Sequence, residues 1–75
     1  MDSDTSHVTR DFSKRESEVF RLLLEGMSNR KIAATLKIAQ KTVEEHLTSI
    51  YAKLGVTSRA EAIVWGIRQS GDFPH

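Results

Sequence analysis

Apolar side chains recur every three or four residues through most of this chain, which is the spacing of one face of an α-helix. The pattern predicts four helices, over residues 14–25, 29–36, 40–53 and 59–70. No segment has the strict alternation of apolar and polar residues that is typical of a strand. We therefore expect an all-α, compact four-helix domain over residues 12–71.

Capping residues mark the ends of the predicted helices. Ser13 with Glu16, and Ser58 with Glu61, have the S-x-x-E spacing of a capping box, in which each side chain bonds the backbone N–H of the other residue. Glycines follow the first and third helices, where a left-handed residue commonly closes a helix. These glycines are Gly26 and Gly55.

Only three residues separate the second and third predicted helices. Their apolar stripes consist of Ile32, Ala33 and Leu36, and of Val43, Leu47, Ile50 and Leu54. Two helices joined so tightly cross at a steep angle, so that the second helix projects from the domain. A projecting helix has the width of the DNA major groove, and the pattern therefore predicts a helix-turn-helix.

Length and composition favour one small domain. The chain has 75 residues, no cysteine, and no apolar run near the ~20 residues of a membrane span. Its first seven residues are mostly polar and acidic, unlike a signal peptide. We expect a soluble, cytoplasmic protein with a disordered tail or linker over residues 1–11 and a C-terminal tail over residues 72–75.

Positive charge gathers on the predicted helix-turn-helix, although the net charge of the chain is only +1. Residues 28–53 contain five cationic and two acidic side chains, whereas residues 1–27 contain four cationic and six acidic ones. Clustered cations are what phosphate contacts require. The same five cations would also suit an ordinary solvated surface, so charge alone does not identify a partner.

The polar face of the third predicted helix carries the candidate base-reading residues. The side opposite the apolar stripe holds Lys41, Glu45, Thr48 and Ala52, with Glu44 beside them. Lys41 can reach a phosphate or a guanine, and Thr48 can donate or accept at a base edge. The two carboxylates can only accept, for example from the cytosine amino group. Alternatively, the glutamates pair with Lys41 or an arginine and favour the N-terminal dipole of the helix.

Three blocks of the chain have motifs with the spacing of a known family. From Ser13 the chain reads S-K-R-E-S-E-V-F-R-L-L-L-E-G-M-S-N-R-K-I-A, from Lys41 K-T-V-E-E-H-L-T-S-I-Y-A-K-L-G-V, and from Thr57 T-S-R-A-E-A-I-V-W. These blocks and the gaps between them resemble the LuxR-type (GerE-type) helix-turn-helix domain, the output domain of many bacterial response regulators. The resemblance covers residue 12 to about residue 68.

The resemblance implies that the third helix reads the major groove and that two copies pair through the fourth helix. By position, it implies groove-facing side chains at Glu44, Glu45 and Thr48. It also implies phosphate contacts from Lys41, Thr42, Lys53, Ser58 and Arg59, with help from Asn29 and Lys31.

The chain departs from the family pattern at two positions. The family usually has a basic residue where this chain has Glu44, and a Ser or Thr cap where this chain has Ala39. Losing a cap costs about 1 kcal/mol of helix stability. We therefore expect the start of the third helix to fray until DNA orders it.

The fourth predicted helix carries the candidate dimer surface. Periodicity places Ala60, Ile63 and Ile67 toward the core, with Trp65 almost opposite Ile63. An aromatic side chain beside small residues on an exposed face suggests a helix–helix contact. Together with the habit of the family, this predicts a weak homodimer through Ala62, Trp65, Gly66 and Gln69. Alternatively, Trp65 folds over the first helix or the tail as extra core.

The sequence lacks the constellations that catalysis requires. It has no paired acid and base, no Gly-rich phosphate loop, no triad, and no second His or Cys at ligand spacing from His46. We expect no enzymatic activity, no metal and no cofactor.

The function that we expect is sequence-specific binding of double-stranded DNA by a bacterial transcriptional regulator, with RNA polymerase as a further candidate partner. Two alternatives stay open. One is a protein–protein interaction module that keeps the fold without binding DNA, and the other is a sigma-factor region-4-like domain.

Overall fold

The computed structural model describes residues 11–70. It contains four α-helices, α1 (Lys14–Leu24), α2 (Asn29–Leu36), α3 (Gln40–Leu54) and α4 (Arg59–Ser70), and no strand within the described residues. The all-α prediction is confirmed, and the helix ends agree with the predicted ones to within one residue. The two predicted tails lie outside the described residues, apart from Asp11.

The first capping box forms as predicted, whereas the second has only one of its two hydrogen bonds. The Glu16 N–H donates to Ser13 Oγ at 3.0 Å, and the Ser13 N–H donates to Glu16 Oε1 at 2.9 Å. At the start of α4, the Glu61 N–H donates to Ser58 Oγ at 3.1 Å. The Glu61 carboxylate, however, accepts from the N–H and hydroxyl of Thr57 instead of from Ser58. These bonds lower the pKa of Glu61, with the Thr57 N–H the larger cause.

Left-handed residues follow the first three helices and set the tight connections between them. Gly26 and Gly55 have φ values of 89° and 75°, as the sequence predicted. Lys37, with φ 61°, has the same role in the turn between α2 and α3. The Ile38 N–H then donates to the Ala33 carbonyl at 3.0 Å, which is the bond that closes such a turn. A side chain in this conformation costs roughly 1–2 kcal/mol, so packing around the turn must offset that cost.

The core lies where α1, α2 and α3 meet. Its largest fully buried side chains come from all three helices, namely Val19, Leu23, Ile32, Val43 and Ile50. Each such side chain contributes about 1.5–3 kcal/mol relative to exposure. The predicted stripe of α3 is confirmed, because Leu47 is buried as well and Leu54 packs against the core from its edge. No helix among the described residues is long and apolar enough to cross a membrane.

The predicted orientation of α4 was wrong in part, although Ile63 packs against the core as predicted. Ala62 is completely buried and Gly66 is also buried, although both were assigned to an exposed dimer surface. Ala60 and Ile67, assigned to the core, are exposed, Ile67 to 46% of its surface. The alternative for Trp65 is supported, because its ring lies 6.1 Å from that of Phe20 in α1.

Small side chains decide which face of α4 packs against α1. A Cβ built at Gly66 would lie 2.6 Å from a terminal methyl of Leu24 and 3.0 Å from the ring edge of Phe20. The absence of a side chain therefore permits the close approach. Four consecutive apolar residues, from Ala62 to Trp65, offer almost any face to the core, so their spacing could not indicate this choice.

We predict that Gly66→Val lowers the free energy of unfolding by about 1–3 kcal/mol, because Leu24 and Phe20 must move to admit the side chain. The measurement is chemical denaturation followed by circular dichroism. Ala60→Val places the same side chain on the exposed side of α4 and is the control, with an expected change within about 0.5 kcal/mol. Equal losses in the two variants would contradict the packing described here.

Candidate nucleic-acid interface

The exposed face of α3 brings the predicted base-reading residues together. Burial of Val43, Leu47 and Ile50 turns the opposite side of the helix toward solvent. The residues on that side are all exposed, namely Lys41, Glu44, Glu45, Thr48 and Ala52. We call these five residues the reading face. Ala52, near the C-terminal end of this face, has a small side chain that would let the floor of a DNA groove approach the helix closely.

The two carboxylates of the reading face have no ion-pair partner within residues 11–70. Their predicted alternative, pairing with Lys41 or an arginine, is wrong for this structure, because the ion pairs of the described region involve other carboxylates. Glu44 and Glu45 therefore keep their full hydrogen-bonding capacity toward solvent or a ligand. That capacity consists only of acceptors when the groups are ionised.

The Thr48 hydroxyl has a more limited capacity than its residue type suggests. Thr48 Oγ1 donates to the Glu44 carbonyl, one turn earlier in α3, at 3.0 Å. The single hydroxyl proton is used by this bond, which leaves the oxygen as an acceptor toward solvent. The sequence could not indicate this choice, because a threonine in a helix can also point its proton outward.

The N-terminal end of α3 lacks a side-chain cap. Ala39 occupies the cap position with φ −70° and ψ 149°, and no side chain accepts from the first turn. The first turn also contains no acidic residue, whereas Lys41 adds a positive charge there. Thr42, the next residue, is half-buried. This end of the helix therefore carries unpaired N–H donors together with a cation, a combination that suits an anion.

Arg59, at the start of α4, joins that helix to the start of α2. Its guanidinium donates to Asn29 Oδ1 at 2.9 Å and to the Met27 carbonyl. Arg59 and Asn29 were both predicted to contact phosphate, and their bond was not foreseen because 30 residues separate them. Lys31, in the first turn of α2, is exposed with no such tie among the described residues.

A buried carboxylate holds the opposite end of α3 against α1. Glu16 retains only 7% exposure. Lys53 Nζ lies 2.7 Å from Glu16 Oε1, and Ser49 Oγ donates to Glu16 Oε2 at 2.7 Å. Lys53 Nζ also donates to the Asp11 carbonyl at 2.9 Å. Lys53, predicted to contact phosphate, thus has two internal partners, and its ion pair with Glu16 spans 37 positions of sequence.

These hydrogen bonds strongly favour the ionised form of Glu16. Burial by itself raises the pKa of the carboxyl group. The bonds from Lys53, Ser49 and the Ser13 N–H, with the charge of Lys53, outweigh that effect and lower the pKa from 4.5 to about 2. The sequence offered one signal for this cluster, the capping-box position of Glu16, and no signal for its partners in α3.

Ser58 is the remaining predicted phosphate contact. Ser58 is exposed, and its oxygen caps α4, so its hydroxyl proton stays available.

The described residues contain no group of three or more His, Asp or Glu side chains that could hold a metal ion.

Comparison with known proteins identifies the class of this helix-turn-helix. Residues 10–66 match the family described as "Bacterial regulatory proteins, luxR family". The chain belongs to the LuxR family. It is a DNA-binding domain of a transcription regulator, and the predictions of family and of general function are confirmed.

The similar proteins include the oxygen regulatory protein NreC from several strains of Staphylococcus aureus. NreC of strains JH9, JH1 and Mu3 is 39% identical to this LuxR-family chain over 69 residues, which cover 88% of the chain and 32% of NreC. The chain thus spans about a third of the length of the relatives that it matches.

We predict that Ala39→Ser stabilises this LuxR-family domain by about 1 kcal/mol, because a serine in this extended conformation can accept from the N–H of Thr42. Denaturant midpoints at constant slope measure the change. Ala34→Ser is the control, because residue 34 is exposed inside α2, where serine costs a few tenths of a kcal/mol. A loss of stability in Ala39→Ser would show that the first turn of α3 needs no cap.

We predict that the Glu16 cluster governs acid stability. Because the folded pKa lies below the unfolded one, the unfolded state binds more protons between pH 4.5 and about 2. The contribution is complete above pH 4.5 and is lost toward pH 2, by about 3 kcal/mol for a shift of this size. The measurement is the free energy of unfolding from denaturant titrations across this range.

Glu16→Gln removes the titrating group. We expect it to lower stability by about 1–3 kcal/mol at pH 7 and to approach the stability of the unmodified chain as the pH falls. Glu18→Gln, which affects a surface pair with Arg15 in the same helix, is the matched control, with a change below about 1 kcal/mol. A difference between Glu16→Gln and the unmodified chain that stays constant from pH 7 to pH 2 would contradict the assignment.

Proposed function

We propose that the chain binds double-stranded DNA sequence-specifically by placing α3 in the major groove. The observation that carries the proposal is the reading face, which is exposed on a helix whose other side is locked into the core. The base-reading residues would be Glu44, Glu45 and Thr48, whereas Lys41, the fourth candidate, is assigned to phosphate. A rigid helix presenting short or extended polar side chains is what readout of base edges requires.

Phosphate contacts would fix the register of α3 without reading sequence. Lys31, Lys41 and Thr42 are the primary candidates, because no internal bond occupies their side chains in the described region. Ser58 would add its hydroxyl proton. Lysine has three donor hydrogens and arginine has five, so both internally bonded cations keep donors for a phosphate.

Lys53, Arg59 and Asn29 would therefore have two roles. Their internal bonds position α2, α3 and α4 relative to one another, and their remaining donors extend toward the DNA backbone. Substituting any of them would affect folding as well as binding, so these residues are unsuitable for a first test of phosphate contacts.

Two copies would pair through the exposed side of α4 on paired half-sites. Val64 and Ile67 are 48% and 46% exposed on that side. Trp65 and Gln69, which the sequence assigned to the interface, line an open groove of about 540 Å³ together with Val64. Ala62 and Gly66 drop out of the proposed interface because they pack inside the domain. One recognition helix reads only a few base pairs, so pairing would supply the missing specificity.

The mechanism needs no catalytic step and no cofactor, because occupancy of the DNA site is itself the output. We propose a cytoplasmic response regulator as the larger protein, in which a separate domain controls pairing through α4. Bound DNA would then place the domain where it recruits or blocks RNA polymerase.

We predict that the chain binds random duplex DNA with an affinity that falls steeply with salt. Lys41→Ala should weaken binding to every duplex by a similar factor, and it should reduce the slope of log K against log salt by about 1. Fluorescence anisotropy with a labelled duplex at four or more salt concentrations measures both quantities.

Lys14→Ala is the matched control for the loss of one positive charge. Lys14 is the first residue of α1 and lies near Glu16. Glu16 pairs with Lys53 in the last turn of α3, whereas Lys41 is in the first turn of α3, at the opposite end of that helix. The slope of Lys14→Ala should stay that of the unmodified chain. Equal slopes for the two variants would show that Lys41 does not contact DNA phosphates. Absence of binding at low salt would instead favour a protein-interaction module, and binding to polymerase without pairing would favour a sigma-factor-like domain.

A further inference from the structure

We propose that the centre of the reading face, formed by Glu44, Glu45 and Thr48, recognises DNA through hydrogen-bond acceptors alone, and therefore selects base pairs by their exposed amino groups. The groups recognised would be N4 of cytosine and N6 of adenine in the major groove. This inference rests on the proposed function, because it specifies which duplexes α3 selects.

The first step concerns the two carboxylates. Glu44 and Glu45 are exposed, and neither forms an ion pair within residues 11–70. A carboxylate with no cation beside it repels DNA phosphates unless a donor on the DNA compensates. In the major groove the only such donors are the amino groups of cytosine and adenine.

The second step concerns Thr48, whose hydroxyl could donate or accept in principle but can only accept from a ligand in this structure. Its proton is donated to the Glu44 carbonyl at 3.0 Å. The oxygen that remains exposed can accept from an amino group, whereas guanine O6 and N7 would meet it acceptor against acceptor. Thr48 therefore has the same preference as the two glutamates.

The third step is the absence of a competing donor at the centre of this face. The next hydroxyl along α3, Ser49, donates to Glu16 at 2.7 Å. Ala52 has no polar side-chain atom, and the half-buried Tyr51 packs against the core to one side of the centre. Lys41 lies one turn before Glu45, at the end of the face that we assign to phosphate. The acceptors at positions 44, 45 and 48 thus act as one patch.

The size of the patch sets how much sequence it reads. Residues 44 and 48 are one turn apart, about 6 Å along the helix axis. Successive base pairs are about 3.4 Å apart, so three acceptors reach two or three neighbouring base pairs. Each wrong base pair would weaken binding by roughly 5- to 100-fold, the usual range for a lost base contact.

The experiment begins with selection of duplexes bound by the 75-residue chain from a random pool. Each cytosine of the selected site is then replaced by pyrimidin-2-one, which lacks the amino group. Each adenine is replaced by 2-aminopurine, which moves the amino group to the minor groove. Each guanine is replaced by 7-deazaguanine, which lacks the N7 acceptor. Binding of every duplex is measured by anisotropy.

The variants Glu44→Ala, Glu45→Ala and Thr48→Val each remove one acceptor and assign each effect to a residue. Each variant should abolish the penalty of amino-group removal at its own base pair only, since such coupling is the signature of a direct contact. Thr48→Ser keeps the hydroxyl and should retain the penalty. Glu44→Gln and Glu45→Gln instead keep an acceptor and add a donor, so a repeated selection with these two variants should favour adenine, the base that a glutamine side chain pairs with.

Glu25→Gln is the matched control for charge. Glu25 is an exposed carboxylate at the end of α1, paired with Arg21, so this change alters net charge equally but leaves the reading face intact. Any gain in binding to random duplex that it shares with Glu44→Gln comes from net charge alone. Its selected site should be that of the unmodified chain.

The outcomes separate this inference from the proposed function. Penalties of about 5-fold or more at two or three adjacent amino groups, coupled to the three variants, would support it. Duplex binding without such penalties, or a 7-deazaguanine penalty coupled to Thr48, would overturn it and leave the proposed function standing. No binding of any duplex at low salt would overturn both.

Discussion

Burial of one side of α3 is the constraint on which the rest of this structure depends. Val43 and Ile50 are completely enclosed between α1 and α2, and Leu47 is nearly so. A helix cannot rotate about its axis without exposing such a stripe, at a cost of about 1.5–3 kcal/mol for each side chain. Holding that side inward holds the opposite side outward. The direction of the reading face is therefore set by apolar residues on the other side of the helix.

Polar bonds add to the apolar core in holding the helices together, and they lie at two places in the helix-turn-helix and its neighbours. Glu16 binds the last turns of α3 through Lys53 and Ser49, and Arg59 binds the start of α2 to the start of α4. Glu16 is buried and Arg59 is half-buried, and a charged hydrogen bond that is partly shielded from water is stronger than one on an open surface. In a domain with so small a core, such bonds have a large share in fixing how the helices sit.

The local spacing of the chain predicted much of this arrangement and missed what depends on distant partners. The stripe of α3 is a single series with polar residues between its members, so its inward side was unambiguous. In α4, the run from Ala62 to Trp65 left the inward side open, and Gly66 decided it through its lack of a Cβ against Leu24. Lys53 was recognised as a cation but not as the partner of Glu16, because nothing in the sequence relates positions 37 apart. The specific contacts with bases and phosphates stay predictions.

The bond between Lys53 and the Asp11 carbonyl has a mechanical consequence. It ties Asp11, the residue before Phe12, to the helix that carries the reading face. One ammonium group therefore connects Asp11 and Glu16 to the last turn of α3. Any displacement of Asp11 would act on α3 through this bond and on the core through Phe12, the next residue, which is buried.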